Sequence, residues 1–146
     1  MMAAAGAGVR GYHPVNERDA LEAVKLCVEL GNDVNAVGAL GETALHATAY
    51  RGLSGSDTII QWLVQNGAKV NVKNLYGWTP LTIAEGIYYG GSDTRSDKMA
   101  ETFRKLGAEP SAPDIARSPT MARQKMREKQ TKEKEANKKQ EEQTPR

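Results

Sequence analysis

Few side chains in this chain can do chemistry. Among its 146 residues there is one cysteine, Cys27, and there are two histidines, His13 and His46. Nucleophilic catalysis needs a base within hydrogen-bond reach of the nucleophile and a third group to orient that base. No serine or cysteine here has such a base near it in a shared motif. A zinc site draws most of its ligands from His and Cys, and three such residues spread over one chain do not provide one. The Gly-Ser stretches GLSGSDT, from Gly52, and GGSDT, from Gly90, lack the lysine of a phosphate-binding loop and read as turns. Cys27 falls on an apolar helical stripe, where it packs as a small hydrophobe. A single cysteine also excludes an intramolecular disulfide. No catalytic residue, metal or cofactor is expected.

The elements that carry these residues recur. GETALHATAYRG from Gly41 and GWTPLTIAEGIYYG from Gly77 share a glycine, a threonine two residues on, a leucine two after that and a run of small residues. VKLCVELGNDVNA, IQWLVQNGAKVNV and TFRKLGAEP share an apolar helical pattern stopped by Gly31, Gly67 or Gly107. Thr43 and Thr79 suit helix N-caps, and Pro80 suits the first helical position behind one. Leu21, Val24, Cys27 and Val28 recur at helical spacing, as do Ile59, Ile60, Leu63 and Val64. Gly31, Gly67 and Gly107 fit the position just past a helix, where a left-handed conformation costs glycine little. The extra length of the cycle falls between paired helices. GLSGSDT is either a tolerated spacer or a functional insertion, since loop closure costs grow only logarithmically with length. In GIYYGGSDTRSD, Ile87, Tyr88 and Tyr89 are expected to cover the open end of the stack, with a binding role for the tyrosines as the alternative.

This pattern resembles the ankyrin repeat, a β-turn followed by two antiparallel helices. The resemblance rests on Gly77-Trp78-Thr79-Pro80-Leu81-Thr82, Gly41-Glu42-Thr43-Ala44-Leu45-His46, and the endings Asn66-Gly67-Ala68-Lys69-Val70-Asn71 and Gly31-Asn32-Asp33-Val34-Asn35. Two positions depart from it: Ala44 stands where the family usually has proline, and Thr82 where it has histidine. The implied fold is an all-α solenoid of about 2.5–3 repeats over residues 1–109, divided near 1–36, 37–73 and 74–109. The resemblance also implies that His46 ties adjacent turns together, and that Thr43, Gly67, Thr79, Pro80 and Gly107 are structural. Partners in this family meet the turn tips and the exposed face of the first helices. By motif position these are Ala39, Leu40, Glu42, Tyr50 and Arg51 in one repeat and Leu75, Tyr76 and Trp78 in the next, a set rich in interface-forming types.

Both ends of the chain differ from the middle. Residues 1–110 carry 10 Lys/Arg against 12 Asp/Glu, a net of −2, whereas residues 111–146 carry 10 against 6, a net of +4. Pro110, Pro113 and Pro119 break helical continuity. The run beyond them has no aromatic residue and too little apolar surface to offset its ordering entropy. Residues 110–146 are therefore expected to be a disordered, charged tail with at most transient helix. Lysines interleaved with glutamates, without stacking aromatics, argue against nucleic acid as the partner. At the other end, MMAAAGAGVRG has no basic n-region and is interrupted by glycine and Arg10, which is not the build of a signal peptide. Its small-residue run aligns with the first helices after Thr43 and Thr79, so it reads as part of a first helix whose cap and turn are missing, with a plain flexible leader as the alternative. About two and a half repeats predict a marginal monomer, or a protein whose N-terminal repeats lie outside this chain, and a sharp thermal transition of the monomer well above ~65 °C would contradict this. No apolar run approaches the ~18 residues of a membrane helix, which leaves the cytoplasm as the default compartment.

The functional expectation is a non-catalytic protein-interaction module, monomeric or weakly self-associating, with a partner whose identity the sequence does not give. Two alternatives accompany it: an accessory domain of a larger ankyrin-repeat protein, and a nucleic-acid-associated protein that uses the basic tail.

Overall fold

In the computed structural model the described residues are 17–51, 56–89, 92–109, 111–112 and 115–142, with only the backbone described at Arg51, Tyr89, Ser92 and 136–142. Among these described residues six helices occur in order: α1 Glu17–Glu29, α2 Ala44–Arg51, α3 Ser56–Gln65, α4 Pro80–Ala84, α5 Asp97–Lys105 and α6 Pro119–Glu142. Between α4 and α5 lies one short antiparallel ladder, β1 Tyr88–Tyr89 against β2 Ser92–Asp93. The helices form two layers. α2 packs on α4 in the inner layer, α1, α3 and α5 succeed one another in the outer layer, and α2–α3 and α4–α5 join the layers. The expected helix within residues 1–11 lies outside the described residues, as do residues 52–55 of the GLSGSDT stretch.

The two inner helices start on different acceptors. Thr79 Oγ1 accepts from the Thr82 amide while the Thr79 amide donates to Thr82 Oγ1, a reciprocal capping box with Pro80 at the first helical position. In α2 the same role falls to an imidazole. The Thr43 amide donates to His46 Nδ1 at 3.1 Å. Nδ1 is therefore the acceptor and Nε2 bears the proton. That Nε2–H reaches the carbonyl of Trp78 in the next repeat at 3.0 Å. His46 thus caps its own helix and links two repeats. Burial holds its pKa below the ordinary imidazole value, which keeps the ring in this neutral form.

The outer helices all end alike. After α3, the Gly67 amide donates to the Val64 carbonyl and the Ala68 amide to the Leu63 carbonyl, the paired bonds of a Schellman motif, with Gly67 at φ 90°. The same pair closes α1 at Gly31 and Asn32, and α5 at Gly107 and Ala108. Past the first two stops an asparagine spans to the next repeat. Asn35 accepts from the Lys69 amide and donates to the Gly67 carbonyl, and Asn71 accepts from the Glu109 amide and donates to the Gly107 carbonyl. The VN endings of the sequence are this ladder.

The core between the layers contains Val24, Leu45, Ile60, Leu63, Leu81, Ile83, Met99 and Phe103, all essentially without solvent exposure. Burying Phe103 and each of these leucines and isoleucines contributes about 1.5–3 kcal/mol, which far exceeds what these short helices gain from propensity alone.

Three expectations need correction. GLSGSDT is not a loop throughout, because Ser56, Asp57 and Thr58 belong to α3 and Asp57 pairs with Lys98 Nζ at 2.7 Å and Thr102 Oγ1 at 2.9 Å. Of the three residues expected to cover the end of the stack, Ile87 is buried but the Tyr88 side chain faces solvent, and Tyr89's lies outside the described residues. Ile87 is fixed by Thr94, whose Oγ1 accepts from the Ile87 amide and donates to the Ile83 carbonyl. The largest departure is the tail. Residues 119–142 are helical, Ala116 and Ala122 are buried, and Ser111, Ile115, Ala116, Arg117 and Arg123 contact the third repeat. Composition marked this region as unable to build a core of its own; it borrows one by laying small residues on an existing surface. Beyond Ala122 every described side chain of α6 is exposed.

Candidate protein-interaction face

The face is built on two successive turns. In the first, the Gly38 amide donates to the Glu42 carbonyl and the Gly41 amide to the Gly38 carbonyl. In the second, the Asn74 amide donates to the Trp78 carbonyl and the Gly77 amide to the Asn74 carbonyl. Corresponding residues are 36 apart. The turns stack through one backbone bond, from the Leu75 amide to the Leu40 carbonyl at 2.9 Å. Gly41 lies directly under this bond at φ 71°, a left-handed conformation that favours glycine, and a Cβ there would make ordinary contact with the backbone of Asn74 and Leu75 at 3.5 Å.

A polar node joins the turns to the inner helix. Tyr50 Oη donates to Glu42 Oε1 at 2.7 Å, and Asn74 Nδ2 lies within 3.3 Å of the same oxygen and 3.4 Å of Tyr50 Oη. Asn74 Oδ1 meanwhile accepts from the Tyr76 and Trp78 amides, which fixes the shape of its own turn. Two side chains from two repeats, Tyr50 and Asn74, therefore hold the carboxylate in one position. At the tips, Val37 is 61% exposed and Leu75 is 58% exposed.

The binding residues expected from the sequence divide into two groups. Leu40, Glu42 and Tyr50 are half-buried and lie together on this face, and the side chain of Arg51 falls outside the described residues. Tyr76 and Trp78 are not available to a partner in this conformation. Trp78 has 0% exposure, its ring contacts that of Tyr76 with centroids 4.7 Å apart, and its Nε1–H donates to the Ala116 carbonyl at 2.6 Å. Tyr76 is 9% exposed, with the Arg123 guanidinium donating to its hydroxyl at 3.0 Å and lying 5.8 Å from the ring centre. Motif position alone placed these rings at the surface; the segment from Ile115 onward covers them.

Asn74 and Val37 are parts of the face that the motif comparison did not single out. Asn74 was legible as the side chain two residues before the tip of a turn, where asparagine binds backbone amides. Val37 carried no signal beyond an apolar residue beside a turn. Thr79 and Pro80 open α4, the His46 ring accepts from the Thr43 amide at the start of α2, and Gly67 and Gly107 stand at the ends of α3 and α5.

A family model described as ankyrin repeats, in three copies, matches residues 14–112. The chain belongs to the ankyrin repeat family. Curated relatives include the monkeypox virus ankyrin repeat domain-containing protein OPG015, 37% identical over 70 residues, which cover 48% of this chain and 15% of that protein. The BRCA1-associated RING domain protein 1 of Caenorhabditis elegans is 34% identical over 89 residues, covering 60% of this chain and 11% of the relative. The ankyrin repeat protein OPG025 of vaccinia virus (strain Western Reserve) is 33% identical over 88 residues, with 60% and 13% covered. The chain therefore spans about a seventh or less of the length of these relatives. No helix among the described residues is long and apolar enough to cross a membrane.

Proposed function

We propose that this chain is a non-catalytic protein-interaction module whose contact face is the pair of stacked turns with the inner helix α2 behind them. The observation that carries this reading is the combination at the tips. Two exposed aliphatic side chains, Val37 and Leu75, stand beside a carboxylate that Tyr50 and Asn74 hold in place. An apolar contact beside a preorganised acceptor suits a partner segment that brings a donor and an apolar side chain together, and preorganisation lowers the entropic cost of binding it. Leu40, Glu42 and Tyr50 remain in the proposed face, with Arg51 beside them at the end of α2. Tyr76 and Trp78 leave it.

Replacing Val37 and Leu75 together by aspartate tests the proposal, because both side chains are exposed and the change should leave the fold intact. Binding to a captured protein partner should fall at least tenfold while the unfolding midpoint stays within error. Unchanged binding by the doubly substituted chain would remove the tips from the interface.

A further inference from the structure

The carboxylate on the tip face is held in place but not neutralised. Both of its donors, the Tyr50 hydroxyl and the Asn74 side-chain amide, are uncharged, and both lie on Glu42 Oε1. Among the described residues no donor bonds to Oε2, and no lysine or arginine forms an ion pair with Glu42. Two other half-buried carboxylates are surrounded differently. Asp57 pairs with Lys98 at 2.7 Å, and Glu85 pairs with Arg104 at 3.0 Å and Arg117 at 3.3 Å. Glu42 is half-buried as they are, yet it has no counter-charge.

Stacking of the repeats does not require this arrangement. Trp78 and Gly86 stand 36 residues after Glu42 and Tyr50, and Gly38 stands 36 before Asn74, so the corresponding positions do not repeat the node. At the place of Glu42 the third repeat carries an indole that donates to a backbone carbonyl, with no charge involved. The two turns meet through the Leu75 amide and the Leu40 carbonyl. The node thus fixes a charge where the stack needs none. Its neighbours are apolar and open. Leu75 follows Asn74 in the chain, Val37 precedes Gly38, whose amide donates to the Glu42 carbonyl, and both side chains are more than half exposed.

We propose that the tip face takes a basic-aliphatic protein segment, whose arginine or lysine meets Glu42 Oε2 while a neighbouring aliphatic side chain lies on Val37 and Leu75. This names the partner's chemistry for the tip face and rests on that reading. A partner that covers the tips also takes water from the carboxylate beside them. Stripping water from a carboxylate is costly unless a cation replaces it. A neutral donor leaves most of that cost standing, and an acidic segment adds repulsion at the same point. A cation instead forms a charge-assisted bond with the open oxygen. Tyr50 and Asn74 already fix the carboxylate, so little side-chain freedom is lost when the cation docks. The aliphatic contact supplies buried area, and the charge decides which aliphatic segments are accepted.

The test selects peptides from a random phage-displayed library on the full chain and on its Glu42→Gln variant. Glutamine keeps an oxygen for Tyr50 and Asn74 and removes the charge, so the urea midpoint of the variant should match that of the parent chain. Peptides selected on the parent chain should be enriched in arginine or lysine within two residues of an aliphatic residue, and those selected on Glu42→Gln should not. A synthetic copy of the leading peptide should bind Glu42→Gln about tenfold more weakly. Replacing the basic residue of that peptide by glutamine should weaken its binding to the parent chain by a similar factor and leave its binding to Glu42→Gln almost unchanged. The change on the peptide needs no altered protein, so it decides the matter even for a variant that folds poorly. Peptides that lose affinity for the chain carrying Val37→Asp and Leu75→Asp but show no basic preference would overturn this proposal and leave the tip face standing, as would a selection that yields no binder. Peptides that bind that doubly substituted chain undiminished would overturn both.

Discussion

Replacing His46 separates the two roles that the structure gives it. In His46→Ala the Thr43 amide loses its acceptor inside the core, and the Trp78 carbonyl keeps only its bond from the Asn74 amide. A buried, unsatisfied amide costs about 1–3 kcal/mol and a lost inter-repeat hydrogen bond about 1 kcal/mol. The vacated ring leaves a cavity that costs roughly another 1 kcal/mol. The total is about 3–5 kcal/mol, a large share of the ~5–15 kcal/mol that stabilises a typical domain. His46→Thr should behave differently, because the third repeat already carries threonine at the matching place and Thr82 Oγ1 there accepts from the Thr79 amide. A threonine keeps the cap and forfeits the link to Trp78, for about 1–2 kcal/mol. Urea unfolding at pH 7.5 should then separate the two variants by about 1 M in midpoint for a slope of ~2 kcal/mol/M. The pH dependence supplies the second half of the test. Well above the ordinary imidazole value of 6.5 the ring is neutral in the folded and unfolded chain alike, so its contribution is complete. Because burial lowers the folded pKa, acid protonates the unfolded chain first, and stability should fall as pH drops below about 6.5 until the folded ring protonates too. His46→Thr should lose that part of the pH slope. Equal midpoints for the two variants, or an unchanged slope in His46→Thr, would refute the assignment of His46 as both cap and link.

Other outcomes rest on the same geometry. Gly67→Ala should cost about 1 kcal/mol in urea unfolding, all of it conformational, because φ is 90° and a Cβ there meets nothing within 4 Å. Asn71→Ala removes both bonds of its rung of the inter-repeat ladder and should cost about 1–2 kcal/mol by the same assay. Trp78→Ala should destabilise by roughly 3–5 kcal/mol, so any loss of binding in that variant reports unfolding and not contact. Truncation after Gln124 should leave the midpoint within about 0.5 kcal/mol of the full chain, since every described side chain removed is exposed, while far-ultraviolet circular dichroism loses helical signal.

The repeat was legible because its signals are local. Hydroxyl caps, proline at the first helical position, glycine stops and the VN asparagines each act within a few residues, and their recurrence about 36 residues apart sets them above chance agreement. The face was legible only in part. Position within a repeat says which side chains point to the tips, and Leu40, Glu42 and Tyr50 do lie there. Exposure at the tips depends on the next unit of the stack. Trp78 occupies the same place as Glu42, yet one ring is sealed under Ala116 and the other side chain stays half-open. The covering segment is hard to see in the sequence because it works through alanines and backbone carbonyls, which leave no apolar stripe. Its one signal was Ser118-Pro119, a second hydroxyl-proline start after Thr79-Pro80, hidden in a stretch whose composition reads as a tail.

Site-specific photocrosslinking tests the interaction face most directly. A benzophenone amino acid placed at Leu75, on the exposed tip, is compared with the same group at Glu101, on the outward side of α5. The account predicts protein adducts from the Leu75 position that Val37→Asp diminishes, and none above background from Glu101. Adducts from Glu101 with none from Leu75 would place the partner on the outer helices and contradict it.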